Sequence, residues 1–441
     1  MKPLIVNQSV WLCTTILLVI TLIFNFAVFF PSVAISSSPT QPVIQIKDEF
    51  NSYDLSKYLF FLEDKDNNLT IDQVSGAEFS QQFRQPESNP PSFGYTSSTY
   101  WGRLELQNTT TQPIQLILSL EYLQIDRIAI YLPNWSASDK SQTETAKDLN
   151  RSEPWLVKHT GLLYPFASRD VNDRLPAFRI NLPPQVREVV YLRFQTTTPL
   201  IIQAYLGDTI TFWQYRSLHN IWLGLFYGIL IFAILYNLLL YTALKDHAYL
   251  YYIGFAIGVG IIMASLDGFG TQYFWPSAIW WNKYAVPVIT YPTSIALLRW
   301  ITLFLETKRF LPRWHQGLKL HQLYLTFVFI SWFIWPFRFV SLINTLGMIA
   351  TCSLAITLGV ITFRRGYLPA RYYLLSSTLF LGSIVVHQLS QLKLIPAFVW
   401  LKDGYRFGII ASVVLLSLAL ADRINLLKAE KLQEQKLALQ E

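Results

Sequence analysis

Six histidines, His159, His219, His247, His315, His321 and His387, are the side chains best suited to metal or acid–base chemistry, and they fall on different segments. A helical zinc site needs two imidazoles four apart with a carboxylate between them, as in HExxH, and no such pair occurs. No glycine pattern stands between a strand and a helix to cradle a phosphate, and no nucleophile elbow is present. The last apolar segment, Tyr405 to Asn425, has no lysine, so no amine is available there for a retinal Schiff base. These residues imply no metal, no cofactor and no catalytic set. The chain reads as a non-enzyme.

Two other groups have chemistry open to them. In YWGRLELQN (100–108), Tyr100, Trp101 and Arg103 put aromatic rings beside a guanidinium, a combination that stacks on and hydrogen-bonds a sugar or an anionic ligand. The competing reading is that Trp101 packs between sheets. Asn237, Arg299, His387, Gln388 and Gln391 lie inside long apolar runs, where a charge or amide is costly and normally faces a helix-bundle interior. They either fix helix packing through interhelical hydrogen bonds or form a switch network, with Arg299 expected to take part.

The elements that must position these residues emerge from composition and pattern. The chain has 441 residues, 52% hydrophobic and 15% aromatic, with only 14% charged and a mean hydropathy of +0.30, too apolar for a soluble globular protein of this length. It reads as a polytopic membrane protein with a water-exposed part. The net charge of +7 is not a nucleic-acid signal, since no basic stripe with interleaved aromatics stands outside the apolar runs. Cys13 and Cys352 both lie in apolar segments, which leaves the water-exposed part to hold by packing alone.

Residues 1–34 have Lys2 as a positive start, an apolar stretch from Val10 to Phe30, and small residues at Ser32 and Ala34. They form a cleaved signal peptide or an uncleaved anchor, and either one exports the chain from residue 35 onward. After a Ser/Pro linker, residues 43–208 show short alternating runs bounded by Pro, Asn and Gly, the pattern of an all-β domain. Strands are expected at 43–50, 100–108, 114–120, 126–132, 177–182, 189–196 and 200–206, in a sandwich or jelly roll, with 134–153 a protruding loop. In the strand at 100–108 the period of two puts Trp101, Arg103 and Glu105 on one face and Tyr100, Leu104 and Leu106 on the other.

Seven apolar segments are expected within 217–425, at 219–242, 248–267, 284–305, 320–336, 340–363, 372–392 and 405–425. The first is unbroken from Ile221 to Ala243 except for Asn237, and Lys245, Asp246 and His247 then make a tight hairpin to the second. With the β domain outside, the connections 243–247, 306–319 and 364–371 face the cytoplasm and carry eight Lys and Arg, against five on the opposite side. Trp275, Trp280 and Trp281 suit a headgroup-level anchor in an outer loop. From Ala419 to Glu441 a helix-favouring tail, its part beyond the bundle at 426–441, continues the last span into the cytoplasm. Its apolar spacing makes it a weak coiled-coil start, through which a homodimer would pair. The fold class is therefore multi-domain α and β: an exported all-β sandwich or jelly roll, a seven-helix transmembrane bundle and a short cytoplasmic helix.

Several stretches carry a family resemblance: GLFYGILIFAILYNLLLYTALKDHAYLYY (224–252), FLETKRFLP (304–312) and LSLALADRINLLKAEK (416–431), and in the β region YWGRLELQN, IDRIAIYLP (125–133) and the run from Arg174 to Leu200. The chain resembles the bacterial seven-transmembrane receptors with diverse intracellular signalling modules (7TMR-DISM), with the second type of extracellular domain. The resemblance implies a jelly-roll-like outer sensor, akin to carbohydrate-binding modules, that signals across the bacterial inner or plasma membrane. Family members usually carry a kinase, cyclase or phosphatase module after the last span, and here the sequence runs only to Glu441. That departure implies a separate intracellular signalling partner or a shortened chain. Beside a receptor for a small, carbohydrate-like ligand, a transporter or permease subunit with an extracytoplasmic binding domain remains open, although no inverted repeat is evident and only Pro287 and Pro292 interrupt a span. An integral-membrane enzyme is disfavoured by the missing acid, base and metal sets. Reporter fusions at the two ends of the mature chain are expected to report opposite compartments; the same compartment at both ends would overturn this orientation.

Overall fold

The computed structural model describes residues 41–47, 52–135, 154–335, 337–392, 394 and 404–412, with isolated positions at 415 and 435. The expected signal segment, most of the 134–153 loop and, apart from position 435, the Ala419–Glu441 tail lie outside the described residues.

The first half is β1 (Ile44–Ile46), β2 (Ser52–Asp54), β3 (Phe60–Asp64), β4 (Ser92–Tyr95), β5 (Thr99–Asn108), β6 (Ile114–Leu120), β7 (Arg127–Pro133), β8 (Trp155–Thr160), β9 (Ala177–Leu182), β10 (Arg187–Gln195), β11 (Pro199–Ile201) and β12 (Ala204–Asp208). They form three sheets, none closed. One is ordered β1-β5-β10-β7-β8 with β3 also on β5, one β2-β12-β6-β9, and the third pairs β11 with β4. Alternation explains the layering. Leu104 and Leu106 of β5, Leu116 and Leu118 of β6, Phe178 and Ile180 of β9, and Leu192 and Phe194 of β10 all enter one core shared by the two larger sheets. On the opposite face of the six-stranded sheet, Trp101 joins a separate cluster with Phe60, Phe83 and Tyr191.

The expected strands appear with two changes: the first is only Ile44–Ile46, and 200–206 is divided between β11 and β12. β2, β3, β4 and β8 were not expected. In β3 the reason is visible, because Phe61 faces the main core while Phe60 and Leu62 face the outer cluster. A strand buried on both faces shows no alternation.

The second half is helical. Helices α1 (Thr209–Leu244), α2 (His247–Leu266), α3 (Ile279–Phe304), α4 (Pro312–Ser331), α5 (Phe337–Arg364) and α6 (Ala370–Gln391) come in that order. Among the described residues five of these helices, all but α4, are long and apolar enough to cross a membrane. The fourth expected span, 320–336, corresponds to α4, which starts earlier because Pro312 occupies its first turn, where a missing N–H costs nothing. Arg313, His315, Lys319 and His321 then fill its first half. The seventh expected segment is described as helix over 404–412.

The expected hairpin is present. Lys245, in the left-handed conformation (φ 56°), ends α1 by donating its N–H to Tyr241, and the Asp246 side chain caps α2 through Ala248 N–H at 2.9 Å. Helices α2 and α3 approach closely at Gly258, where an added Cβ would sit 2.0 Å from Thr293 Oγ1. Gly258→Val is therefore expected to force these helices apart at a cost of about 1–3 kcal/mol. Reversible unfolding of the purified protein in mixed micelles would read that loss, and an unchanged midpoint would contradict the packing.

Candidate functional site

Strand β12 runs into α1 with no residue between them. Asp208 ends the strand, and its side chain caps the helix by accepting from Thr211 N–H at 2.7 Å. With 36 residues α1 is roughly 54 Å long, well beyond a hydrocarbon layer of about 30 Å, so its first turns form a stalk against the β domain. Phe212 packs there on Ile117, Val171 and Ala177.

One turn further along the stalk, Arg216 is 1% exposed. Its guanidinium reaches Glu121 just beyond β6 at 3.1 Å and Asp173 in the β8–β9 connection at 3.0 Å. A neighbouring group centres on Asp267, which ends α2. Its carboxylate pairs with Arg406 and accepts from the Tyr227 hydroxyl of α1 at 2.7 Å. Its backbone carbonyl accepts from Arg174 Nη1 at 2.6 Å, and Arg174 Nε donates to Asn220 of α1 at 3.1 Å. Gly268 comes next at φ +86°, and a Cβ there would lie 2.1 Å from the Arg174 carbonyl oxygen, so only glycine admits this approach.

Three further contacts tie the same surfaces. Asp126 accepts from Thr197 N–H at 3.0 Å and from Lys283 Nζ of α3 at 2.9 Å. The Tyr95 hydroxyl lies between Ser341 Oγ and Thr345 Oγ1 of α5, at 3.1 and 3.0 Å. The Phe166 N–H donates to the Pro276 carbonyl at 3.0 Å. The cations Arg174, Arg216, Lys283 and Arg406 thus meet the carboxylates Glu121, Asp126, Asp173 and Asp267, and Arg169 stands beside them as a fifth cation, donating to the Asp173 carbonyl at 2.7 Å. Burial raises the Asp173 carboxyl above its ordinary range, with Arg216 and Arg174 pulling it back, and burial lowers the Arg174 guanidinium, with the charge of Arg216 adding to the effect.

Between the β domain and the bundle lies a cavity of about 290 Å³. Tyr122, Gln124 and Arg174 line its outer end, and side chains of α2, α3, α5 and α6 line it inward as far as Cys352.

Two family models match this chain: 7TM diverse intracellular signalling over 219–423, and 7TMR-DISM extracellular 2 over 56–208. The chain belongs to this receptor family. No curated protein matches it. The 7TMR-DISM receptor is a membrane signalling protein with an extracellular sensor domain. The gap between its two matched regions, residues 209–218, is the α1 stalk that carries Arg216.

The structure brings together three of the polar residues expected to form a network in this receptor. His387, Gln388 and Gln391 lie on α6 and line the cavity, with His387 Nε2 and Gln391 Nε2 2.9 Å apart. Asn237 instead donates to its own helix at the Ala233 carbonyl, and Arg299 is exposed on α3, apart from the other four. Tyr100, Trp101 and Arg103 share β5 but not a surface. Tyr100 stacks on Phe93 with centroids 4.0 Å apart, while Trp101 is 1% exposed beneath Arg193. Arg103 is held by Gln41 and by Glu105.

Sequence reading did not find Glu121, Asp126, Asp173, Arg174, Arg216 or Asp267 as site residues. A usable signal existed: Asp267 is a lone acid closing a long apolar helix, and such a charge needs a partner. Arg216→Met is expected to destabilise docking of the sensor onto the bundle by about 3–5 kcal/mol, because Glu121 and Asp173 lose their buried partner. Adding Glu121→Gln and Asp173→Asn should recover much of that loss. Thermal unfolding and limited proteolysis of the full chain would read both effects, and a single variant as stable as the parent would refute the role of Arg216.

Proposed function

We propose that the receptor takes a small ligand, of which a carbohydrate is the leading class, on its outer β domain, and passes the resulting displacement through β12 and the α1 stalk into the seven-helix bundle. The observation that carries this reading is the continuous backbone from sheet to helix at Asp208, locked on both sides by Arg216 and Arg174. A strand that shifts in its sheet must move α1, and the buried charges give it two discrete partners to gain or lose. For signalling, the ligand must bind the two arrangements with different affinity.

The facing of the two larger sheets over a common core supports a sandwich of jelly-roll type. For the ligand face we favour the outer side of the six-stranded sheet. There the register aligns Trp101 with Arg193, Ala129 and His159, and Arg103 with Tyr191, Tyr131 and Val157. Trp101 then serves as a floor, and the half-buried Tyr131, Trp155 and Arg193 as the contacts, with Tyr100 supporting the strand from behind. The charge bias of the connections supports a sensor outside the inner membrane and a tail inside it. That tail, alone or paired in a homodimer, hands the signal to an intracellular partner of kinase, cyclase or phosphatase type.

A single cysteine at Lys428, with Cys13 and Cys352 replaced by alanine, tests the coupling. Its crosslinking yield in membranes is expected to change at least about twofold when Arg216→Met or Asp267→Asn loosens the junction. Unchanged crosslinking, together with solute uptake into proteoliposomes, would replace the receptor reading with a permease. Glycan-array screening of the full chain checks the ligand class, and an array without hits removes the carbohydrate.

A further inference from the structure

Neither the ion pairs nor the packing of the junction accounts for the cavity beneath it. We propose that this cavity binds a small uncharged amphiphile, its hydrogen-bond-accepting head at the outer end and its aliphatic or aromatic tail running inward between the helices. This goes beyond the receptor reading, which assigns a ligand only to the outer face of the β domain.

The lining is graded in polarity. Arg174, His387, Gln388 and Gln391 stand near its outer end, whereas Val259, Met263, Leu297, Met348 and Phe380 line it further in. Along α3 the lining runs from Lys283 to Leu297, about 21 Å at 1.5 Å per residue, so the space is elongated along the bundle. Thr290 and Thr293 add no demand for a polar guest, because their hydroxyls already donate to the Val286 and Ile289 carbonyls at 2.8 and 2.7 Å. A mostly apolar cavity with a few convergent polar groups is the usual form of a small-molecule site, and about 290 Å³ is at the small end of the range.

Among the described residues, Arg174 Nη2 and His387 Nδ1 at the outer end are buried polar atoms with no hydrogen-bond partner. Arg174 is 2% exposed and its remaining nitrogen can only donate. It therefore calls for an acceptor such as an amide, ester or lactone carbonyl or a hydroxyl, while the imidazole can take either role. Charges of both signs line the cavity, Glu121 and Asp267 beside Arg174, Lys283 and Arg406, so a carboxylate or an ammonium would each lie buried against like charges, and an uncharged head is favoured.

Three probes with one tail and different heads test this on the full-length protein in nanodiscs: decanamide, decanoate and decylammonium. Decanamide is expected to raise the melting temperature by about 2 °C or more and to add one molecule per chain by native mass spectrometry, with no such effect from either ion. Leu297→Trp should abolish the effect by filling the tail space. If that variant does not fold, Leu297→Ala decides the matter: the enlarged cavity should favour dodecanamide over decanamide relative to the parent. Equal stabilisation by all three heads, stabilisation by none, undiminished binding in Leu297→Trp, or no tail-length gain in Leu297→Ala would each overturn the site. Binding that leaves the Lys428 crosslink unchanged would keep the site and count against the receptor reading instead.

Discussion

Burying Arg216 between Glu121 and Asp173 places three charges where water cannot solvate them, and such a group is tolerable only when every member is in position. The three side chains come from α1, from the end of β6 and from the β8–β9 connection, so the cluster exists only while the outer domain is seated on the stalk. The Asp267 group repeats the constraint one layer further in, holding α1, α2, the β8–β9 connection and the segment at 404–412 through one carboxylate and its neighbouring carbonyl. Losing one partner is much more costly than the net contribution of the intact set. Outer domain and bundle therefore behave as one mechanical body whose alternatives are discrete.

That property suits a membrane signalling receptor. A flexible linker between sensor and bundle would dissipate a small displacement, and here there is none: Asp208 is both the last residue of a strand and the cap of a 36-residue helix. Strand β12 sits between β2 and β6 in its sheet, and β6 carries on its other edge β9, which comes after the connection holding Asp173 and Arg174. Backbone continuity and the ion pairs act through the same few strands, which shortens the path from sheet to lipid. The close approach of α2 to α3 at Gly258 and that of Gly268 to the Arg174 backbone extend this rigidity into the bundle.

The cavity arises from the same geometry. A β domain presents a broad surface and a helix bundle presents separated ends, so the two cannot fill the space between them completely with side chains. Tyr95 reaches across to α5 and closes part of that space. The remainder is polar where charged side chains converge and apolar where the helices alone form the walls.

Much of the architecture was legible in the residues. Alternation identified the strands whose two faces differ in polarity, long apolar runs located most of the spans, and Lys245, Asp246 and His247 marked the first hairpin, since each of these signals depends on neighbours in sequence. The period of two in β5 correctly separated Trp101 from Tyr100, but it could not show that Trp101 lies under Arg193, which comes from a different strand. His387, Gln388 and Gln391 were recognisable because polar side chains in an apolar helix must face inward. Arg299 obeys the same rule by type, yet it lies near the end of α3, where a long side chain can leave the bundle. Arg216, Asp173 and Asp267 looked like ordinary charges at the edges of elements. Burial depends on what the rest of the chain places around a residue, and these partners stand 40 to 139 positions apart. Local pattern determined the elements and their order; only the folded chain decided which charges lose their water, because desolvation is a property of the assembled surface and not of any segment.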